Sequence, residues 1–451
     1  MRSFCKRILL TLSACFVVTL AMAQPKNNSL FSRFGIGDLL NQNFTNLRAT
    51  PGFTNAYNNP YHLNLQNPAS LGFMQMAAID FGVYGRRSIW ESGEETNINW
   101  SGNMSHLAIG FTVNNPVNDL LERERQDFSW GMSFALVPYS LVGFTVRTEG
   151  EVPDIGNVIS EFRGEGGTNQ LLWSNGFRYK QFSAGLNLGY LFGKIENVRG
   201  VIFDDLNASF QNRFVDDYSI NGITWRIGAQ YNFIFNAESG NLNKIKVLTL
   251  GVTASTNNRL NTNSSRFYQR FNPSFVTSGV AARDTLAFDT IIDEEDVEGK
   301  ATLPAQFGVG AIFSSGSKFK VGINYDFVQW SNYTNDAQPE ELENTYQLGF
   351  GAEWIPNFAS YNKFFERVRY RVGGFIGTDP RNINGEQIER YAVTFGLGIP
   401  ITLPRKQLSF VNLSVELGKM GHNTSLVETY GEFTIGFTLN DNGWFVKQKF
   451  N

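Results

Sequence analysis

The stretch Phe319-Lys320-Val321-Gly322-Ile323-Asn324-Tyr325-Asp326-Phe327 decides the fold. Each odd-numbered residue is apolar, and each even-numbered one is small or polar. Successive side chains of a strand point to opposite faces, so a period of two describes a ribbon with one greasy and one hydrophilic side. The pattern recurs in both directions. Ile79, Phe81 and Val83 alternate with Asp80, Gly82 and Tyr84, and Leu107, Ile109, Phe111 and Val113 with His106, Ala108, Gly110 and Thr112. Further on, Phe182, Ala184, Leu186, Leu188, Tyr190 and Phe192 are followed by Tyr391, Val393, Phe395, Leu397 and Ile399 in the same rhythm.

The composition of the two faces separates the β architectures. A soluble sandwich hides its apolar face and covers the other with Lys, Glu and Thr. Here the second face is Gly, Ala, Ser, Asn, Gln and Thr with occasional single charges. Aromatic residues close the apolar face at both ends, as in Phe182 to Phe192, Phe319 to Phe327 and Tyr346 to Trp354. Segments of about 10–13 residues exceed the usual strand length and match a tilted bilayer crossing. The expected fold is all-β: a transmembrane antiparallel β-barrel of about 14 strands, facing outer-membrane lipid outside and a hydrophilic lumen inside.

The strands expected are 77–88, 103–113, 128–147, 169–180, 182–193, 219–234, 245–256, 302–313, 318–331, 344–355, 367–378, 388–399, 408–418 and 430–439. Connections alternate between long (89–102, 148–168, 194–218, 257–301) and mostly shorter ones (Gln181 alone, 314–317, 400–407), as extracellular loops and periplasmic turns do. An even count leaves both chain ends in the periplasm of a Gram-negative cell. The third strand is too long for a simple span and carries Pro138, which cannot donate to a ladder. The loop alternation favours one strand kinked at Pro138, losing hydrogen bonds to a neighbour there, over two strands joined by a turn.

Composition agrees. Of 451 residues 42% are apolar and 14% aromatic, far too many for disorder. Only Ile8 to Leu20 forms a long apolar run, so no helical membrane bundle is possible. Lys and Arg number 38 against 41 Asp and Glu, with no basic stripe to suggest a nucleic-acid partner. Arg2, Lys6 and Arg7, the apolar run, and Ala21-Met22-Ala23 make residues 1–23 a signal peptide cleaved after Ala23. Leu12-Ser13-Ala14-Cys15 offers a lipoprotein alternative, but the apolar residues after Cys15 are unlike a polar tether. Cys5 and Cys15 both leave with the leader, so the mature chain has no disulfide, zinc-thiolate site or Cys nucleophile. Its 35 basic residues then face 41 acidic ones.

Residues 24–75 differ from the barrel, 76–451. They are rich in Asn and Gly, scattered with apolar residues and without alternation. Too long for an overhang, they are expected to form a plug, or hatch, within the lumen.

Just before the first strand, Asn67-Pro68-Ala69-Ser70-Leu71 resembles the NPA motif of the FadL/TodX family of outer-membrane transport proteins. Ser29-Leu30-Phe31-Ser32-Arg33-Phe34-Gly35-Ile36-Gly37-Asp38 is similar to Bacteroidota-type members. The layout matches along the mature chain: a hatch, then fourteen strands with a kink in the third. The resemblance implies passive uptake of a hydrophobic small molecule, of the long-chain fatty acid or aromatic hydrocarbon type, by hatch-gated lateral diffusion. It makes Phe31, Phe34, Leu39, Leu40 and Phe44 candidate ligand-binding or gate residues. Asn67, Pro68 and Ala69 would pin the hatch to the wall, and Pro138 would mark the lateral opening. The family also includes barrels that carry no lipid and serve secretion machines. The polar loop 257–301, with Asp293 to Asp296 and Glu298, and the long connections 114–127 and 356–366 therefore keep a second reading open: a subunit or scaffold with other outer-membrane or periplasmic proteins as partners.

No enzyme is expected. His62, His106 and His422 are isolated, with no HExxH pair, and no GxSxG elbow precedes a helix. Gly308/Gly310, Gly349/Gly351 and Gly396/Gly398 sit mid-strand on the small face and read as lumen packing, not as a phosphate loop. The acidic residues 293–298 lack calcium-loop spacing. No metal or cofactor is expected. Asp284-Thr285-Leu286 and Asp289-Thr290-Ile291 resemble Bacteroidota glycosylation sites.

Overall fold

The computed structural model describes residues 29–113, 127–153, 156–203, 211–236, 245–271, 287–403 and 407–441. The signal peptide, residues 24–28, connection 114–126 and the Asp284 sequon lie outside them. Strand β1 is Asp38–Leu39, followed by β2 (Ala77–Ser92), β3 (Glu95–Thr112), β4 (Phe128–Val152), β5 (Gly156–Tyr179) and β6 (Phe182–Phe203). Next come β7 (Gln211–Phe235), β8 (Lys246–Ser255), β9 (Asn258–Phe271), β10 (Ala287–Leu303), β11 (Gln306–Ser315) and β12 (Phe319–Val328). The chain closes with β13 (Thr334–Asn335), β14 (Thr345–Trp354), β15 (Arg369–Ile383), β16 (Glu386–Leu403), β17 (Gln407–Met420) and β18 (Leu426–Asp441).

Consecutive crossings pair antiparallel, and β18 returns to β2 from Leu426↔Ser92 to Asp441↔Ala77, closing a 14-strand barrel. β8 and β9 together make one crossing, and β10 and β11 another. The greasy face points outward: Ile79, Phe81 and Val83 of β2 and Phe319, Val321, Ile323 and Tyr325 of β12 are each 37–48% exposed. Their inward neighbours Asp80 and Asn324 are buried.

All fourteen expected segments match crossings to within about three residues at the ends where they overrun them, but the four long expected loops are largely strand. Ser92 and Glu95 are joined by a turn, β4 and β5 pair as far as Val152↔Gly156, and β6–β7 and β9–β10 continue as paired hairpins. Apart from Ile98 and Trp100, which are exposed and alternate with Asn97 and Asn99, these extensions lack the alternation of greasy against small residues that reveals a bilayer crossing, so the sequence reads as loop where the backbone still pairs.

Residues 29–75 run inside the wall. The 3-10 turn Pro68–Phe73 packs on β4 to β7, the turn Pro51–Phe53 on β11, β12, β14 and β15, and the short helix Thr45–Arg48 on β16 to β18. Close approach of two backbones leaves no room for a Cβ. A Cβ on Gly251 would sit 2.0 Å from Asn55 O, one on Gly131 2.1 Å from Leu71 O, and one on Gly176 2.3 Å from Pro68 O. Gly349, Gly351 and Gly396 meet Pro51, Thr50 and Ala49 in the same way. The small inward residues are thus the seat of the enclosed segment.

Candidate functional site

The wall is irregular at Pro138. Pairing of β3 with β4 runs from Thr112↔Gly131 to Leu107↔Leu136 and stops there. Beyond it β4 keeps its partner β5 across a bulge between Pro138 and Ser140, while its other edge takes β1 of the enclosed segment, Asp38↔Leu141 and Leu39↔Ser140. Leu40 N donates to Tyr139 O at 3.1 Å and Ser29 N to Gly143 O at 2.8 Å. On β5, Gly166 and Gly167 adopt positive φ of 119° and 137° opposite the bulge, a conformation closed to side-chain-bearing residues. Val137 to Val142 of β4 are buried or half-buried as the strand bends inward. The unpaired edge therefore begins level with Leu107 and Leu171, and β1 of the enclosed segment pairs with it.

Above that segment lies a cavity of about 270 Å³. Leu39 and Leu40 line it together with Phe327, Trp330, Phe375 and Met420, and most of the other lining residues are polar or charged. Arg48 of the enclosed helix pairs with Glu432, and Arg86 pairs with Glu428 at 2.8 Å while lying 3.9 Å from the Tyr430 ring centre. The Tyr430 hydroxyl donates to Glu416 at 2.8 Å. Arg381 bridges Asp379 at 2.6 Å and Asp38 at 2.5 Å. Burial works against ionising Asp38, but the Arg381 guanidinium outweighs it and holds the carboxyl below the usual carboxylate range. In the connection before β14, burial raises the Glu340 carboxyl even though Gly35 N donates to it.

The other residues singled out from the sequence lie away from this room. Phe31 is fully buried, edge-on to Trp90 at 5.1 Å. Phe34 is half-buried and does not line the cavity. Phe44 stacks on the His106 ring at 3.9 Å. The Asn67 amide donates to Asn55 O at 2.6 Å and reaches Ala229 O and Val252 O at 3.3 and 3.4 Å, and its carbonyl caps Ala69 N at 3.1 Å. Pro68 faces Gly176 and Gly185 of the wall.

Sequence reasoning missed the ionic pairing because, Asp379–Arg381 on β15 apart, the partners come from different strands; only their shared inward parity hints at them. It also missed a buried chain in which Ser105 lies 3.0 Å from His106 Nδ1 and His106 Nε2 lies 2.6 Å from Asp80. Sealed under Phe44, with Thr438 donating to the second Asp80 oxygen at 2.7 Å, these groups give no substrate access and serve to join wall and enclosed segment. Among the described residues no group of three or more His, Cys, Asp or Glu side chains is placed to hold a metal.

The closed fourteen-strand wall is the fold of FadL-type proteins. A Pseudomonas aeruginosa FadL homologue superposes with TM-score 0.54 at 11% identity, over 89% of this chain and 99% of its own. The P. putida toluene transporter TodX gives 0.51 at 12% over 88% and 98%, and the Ralstonia pickettii toluene transporter TbuX 0.50 at 13% over 88% and 98%. Two of these neighbours are toluene transporters, and at 11–13% identity the likeness is one of fold class. Within that class the chain belongs to the BamG family, whose model matches residues 4–451. A search among curated proteins finds no match.

Proposed function

We propose that this protein is a plugged, non-conducting barrel that acts as a subunit or scaffold of an outer-membrane secretion or assembly complex. The observation that carries the reading is the ionic lining of the room left inside the wall. A greasy solute gives up about 0.8 kcal/mol for each CH₂ that leaves an apolar environment, and the Arg86–Glu428 pair, Arg226 on Gln66 and Gln306, and Arg390 on Gln347 offer it nothing in return. Moving residues 29–75 as a hatch would also break Arg48–Glu432 and Asp38–Arg381, and separating a buried pair costs about 3–5 kcal/mol. On this reading the leader is removed after Ala23, residues 24–75 form a fixed plug in the 76–451 barrel, and the periplasmic connections meet partners. The test is purification from native membranes beside an uptake assay. A companion protein in fixed ratio is expected, with unchanged uptake of labelled fatty acid when the gene is deleted. Loss of uptake, with lipid retained in the purified lumen, would sink the reading.

A second reading is hatch-gated passage of a hydrophobic small molecule, favoured by the interrupted β3–β4 pairing at Pro138. Phe31, Phe34, Leu39, Leu40 and Phe44 would then gate the route, released as Asn67, Pro68 and Ala69 let go of the wall. Deleting residues 24–60 should alter uptake on this reading and leave it untouched on the first.

A further inference from the structure

A group of exposed aromatic rings stands outside the strands, in the connection between β14 and β15. Tyr361 is 94% exposed and Phe365 75%, with Phe364 and Phe358 at 43% and 39%. An apolar patch of this kind, left open on a folded surface, marks a place that something covers. The connection lies at the end of the barrel where β2 begins and β18 ends, which is the periplasmic end in this architecture.

The connection is folded rather than slack. Asn357 N donates to Glu366 O at 2.8 Å and Ser360 N to Asn357 O at 3.2 Å, before a single helical turn, Phe364–Arg367. Tyr370 sets its direction. Trp354 and Tyr370 are partners in the β14–β15 ladder, with ring centres 5.7 Å apart. They stand on the lipid-facing side, Trp354 being 53% exposed and Tyr370 sharing the parity of the exposed Val372 and Ile376. The Tyr370 hydroxyl donates to Phe365 O at 3.2 Å. The chain at Phe365 is thereby drawn toward the lipid side of the wall and not across the mouth of the barrel.

The surface so placed continues the aromatic edge made by Trp354 and by Phe319, its partner on β12. Amphipathic rings settle at the headgroup level of a bilayer. Lys363, paired with Glu366 at 3.0 Å, and Arg367, 5.7 Å from the Phe364 ring centre, leave the connection one positive charge in excess, which suits anionic headgroups.

We propose that residues 357–367 form a shelf lying in the headgroup region of the inner leaflet, with Tyr361, Phe364 and Phe365 against phospholipid. The occupant is lipid because the rings are continuous with the lipid-facing belt through Tyr370 and Trp354. The shelf holds whether the barrel is a subunit or a channel; the partners of the first reading then meet other connections.

The mature chain has no cysteine of its own, so single probes can be placed. Tyr361→Cys, Phe365→Cys and, as a water-facing reference on the β9–β10 hairpin, Asp293→Cys are labelled with an environment-sensitive fluorophore. Each full barrel, its folding checked by heat-modifiable migration, is set in nanodiscs of phosphatidylethanolamine and phosphatidylglycerol. At 361 and 365, lipid spin-labelled near the headgroup should quench several-fold more strongly than aqueous iodide, and at 293 the order should reverse. Either of the two shelf positions suffices if the other variant does not fold. Iodide quenching at 361 and 365 equal to that at 293 overturns the proposal. So does protection of these cysteines from a water-soluble maleimide in native outer membranes that disappears in nanodiscs of the pure barrel, since a protein would then be the cover.

Discussion

Between β2 and β18 the wall turns alternate side chains toward lipid, whereas residues 29–75 have no lipid-facing side and no repeating pattern at all. The wall is self-sufficient in backbone pairing, as anything crossing hydrocarbon must be. The enclosed segment has only two ladder-paired residues, Asp38 and Leu39; elsewhere its polar groups find side chains and carbonyls of the wall. The instructions for seating it are thus written on the inward face of the strands. Glycine stands where its backbone comes close, and a carboxylate or guanidinium stands where one of its charges arrives.

The strongest way to break that contrast is to remove one wall charge. Glu432→Gln leaves Arg48 buried with its partner gone, beside the Tyr84 ring at 5.5 Å, and should cost about 3–5 kcal/mol. Urea unfolding of the micelle-folded barrel measures it, and protease cleavage within 29–75 should rise in parallel. A loss below about 1 kcal/mol would mean that charge does not anchor the segment.

A smaller effect separates the two faces at adjacent residues. Gly251 of β8 points inward onto Asn55, and Val252 points outward and is 52% exposed. Adding one carbon inward, Gly251→Ala, forces a Cβ against immovable backbone and should cost about 1–3 kcal/mol. Adding one outward, Val252→Ile, should stay within about 0.5 kcal/mol. The same unfolding assay compares them, and equal costs would refute the assignment of faces.

How far the sequence could be read follows from the same contrast. Every crossing was legible because bilayer contact imposes the alternation seen in Phe319–Phe327. Pro138 was legible because a missing N–H has one structural meaning in a strand, and the bulge and lost β3 pairing sit there. The hairpins beyond the belt were not, since neither side of Glu149 or Glu294 meets hydrocarbon. Nor was the character of the room: Leu39 and Leu40 do line it, but Arg48, Arg86 and Arg381 come from three distant parts of the chain and acquire partners only when the barrel closes. Apolar residues such as Phe31 and Phe44 suggest a greasy pocket in sequence, yet they are spent on packing against Trp90 and His106.

The most delicate difference concerns protons. His62 belongs to the enclosed segment, and its imidazole is held well below the usual 6.5, first by burial and then by the Arg369 and Arg371 charges. Lys320 adds to the depression and Glu353 opposes it; among the described residues its hydrogen-bonding neighbour is the Thr438 hydroxyl, 3.3 Å from Nδ1. The unfolded chain takes up a proton near pH 6.5 that the folded chain refuses. Stability from this group is therefore complete above that pH and lost as pH falls below it, by about 1.4 kcal/mol per unit. His62→Gln keeps a polar side chain beside Thr438 but cannot titrate. Unfolding free energies at pH 7, 6 and 5 should therefore fall less steeply in the variant than in the unaltered protein, by about that amount between pH 6 and 5. Identical slopes would mean that the ring already takes its proton in the folded barrel, and that the seam beneath the enclosed segment is open to water.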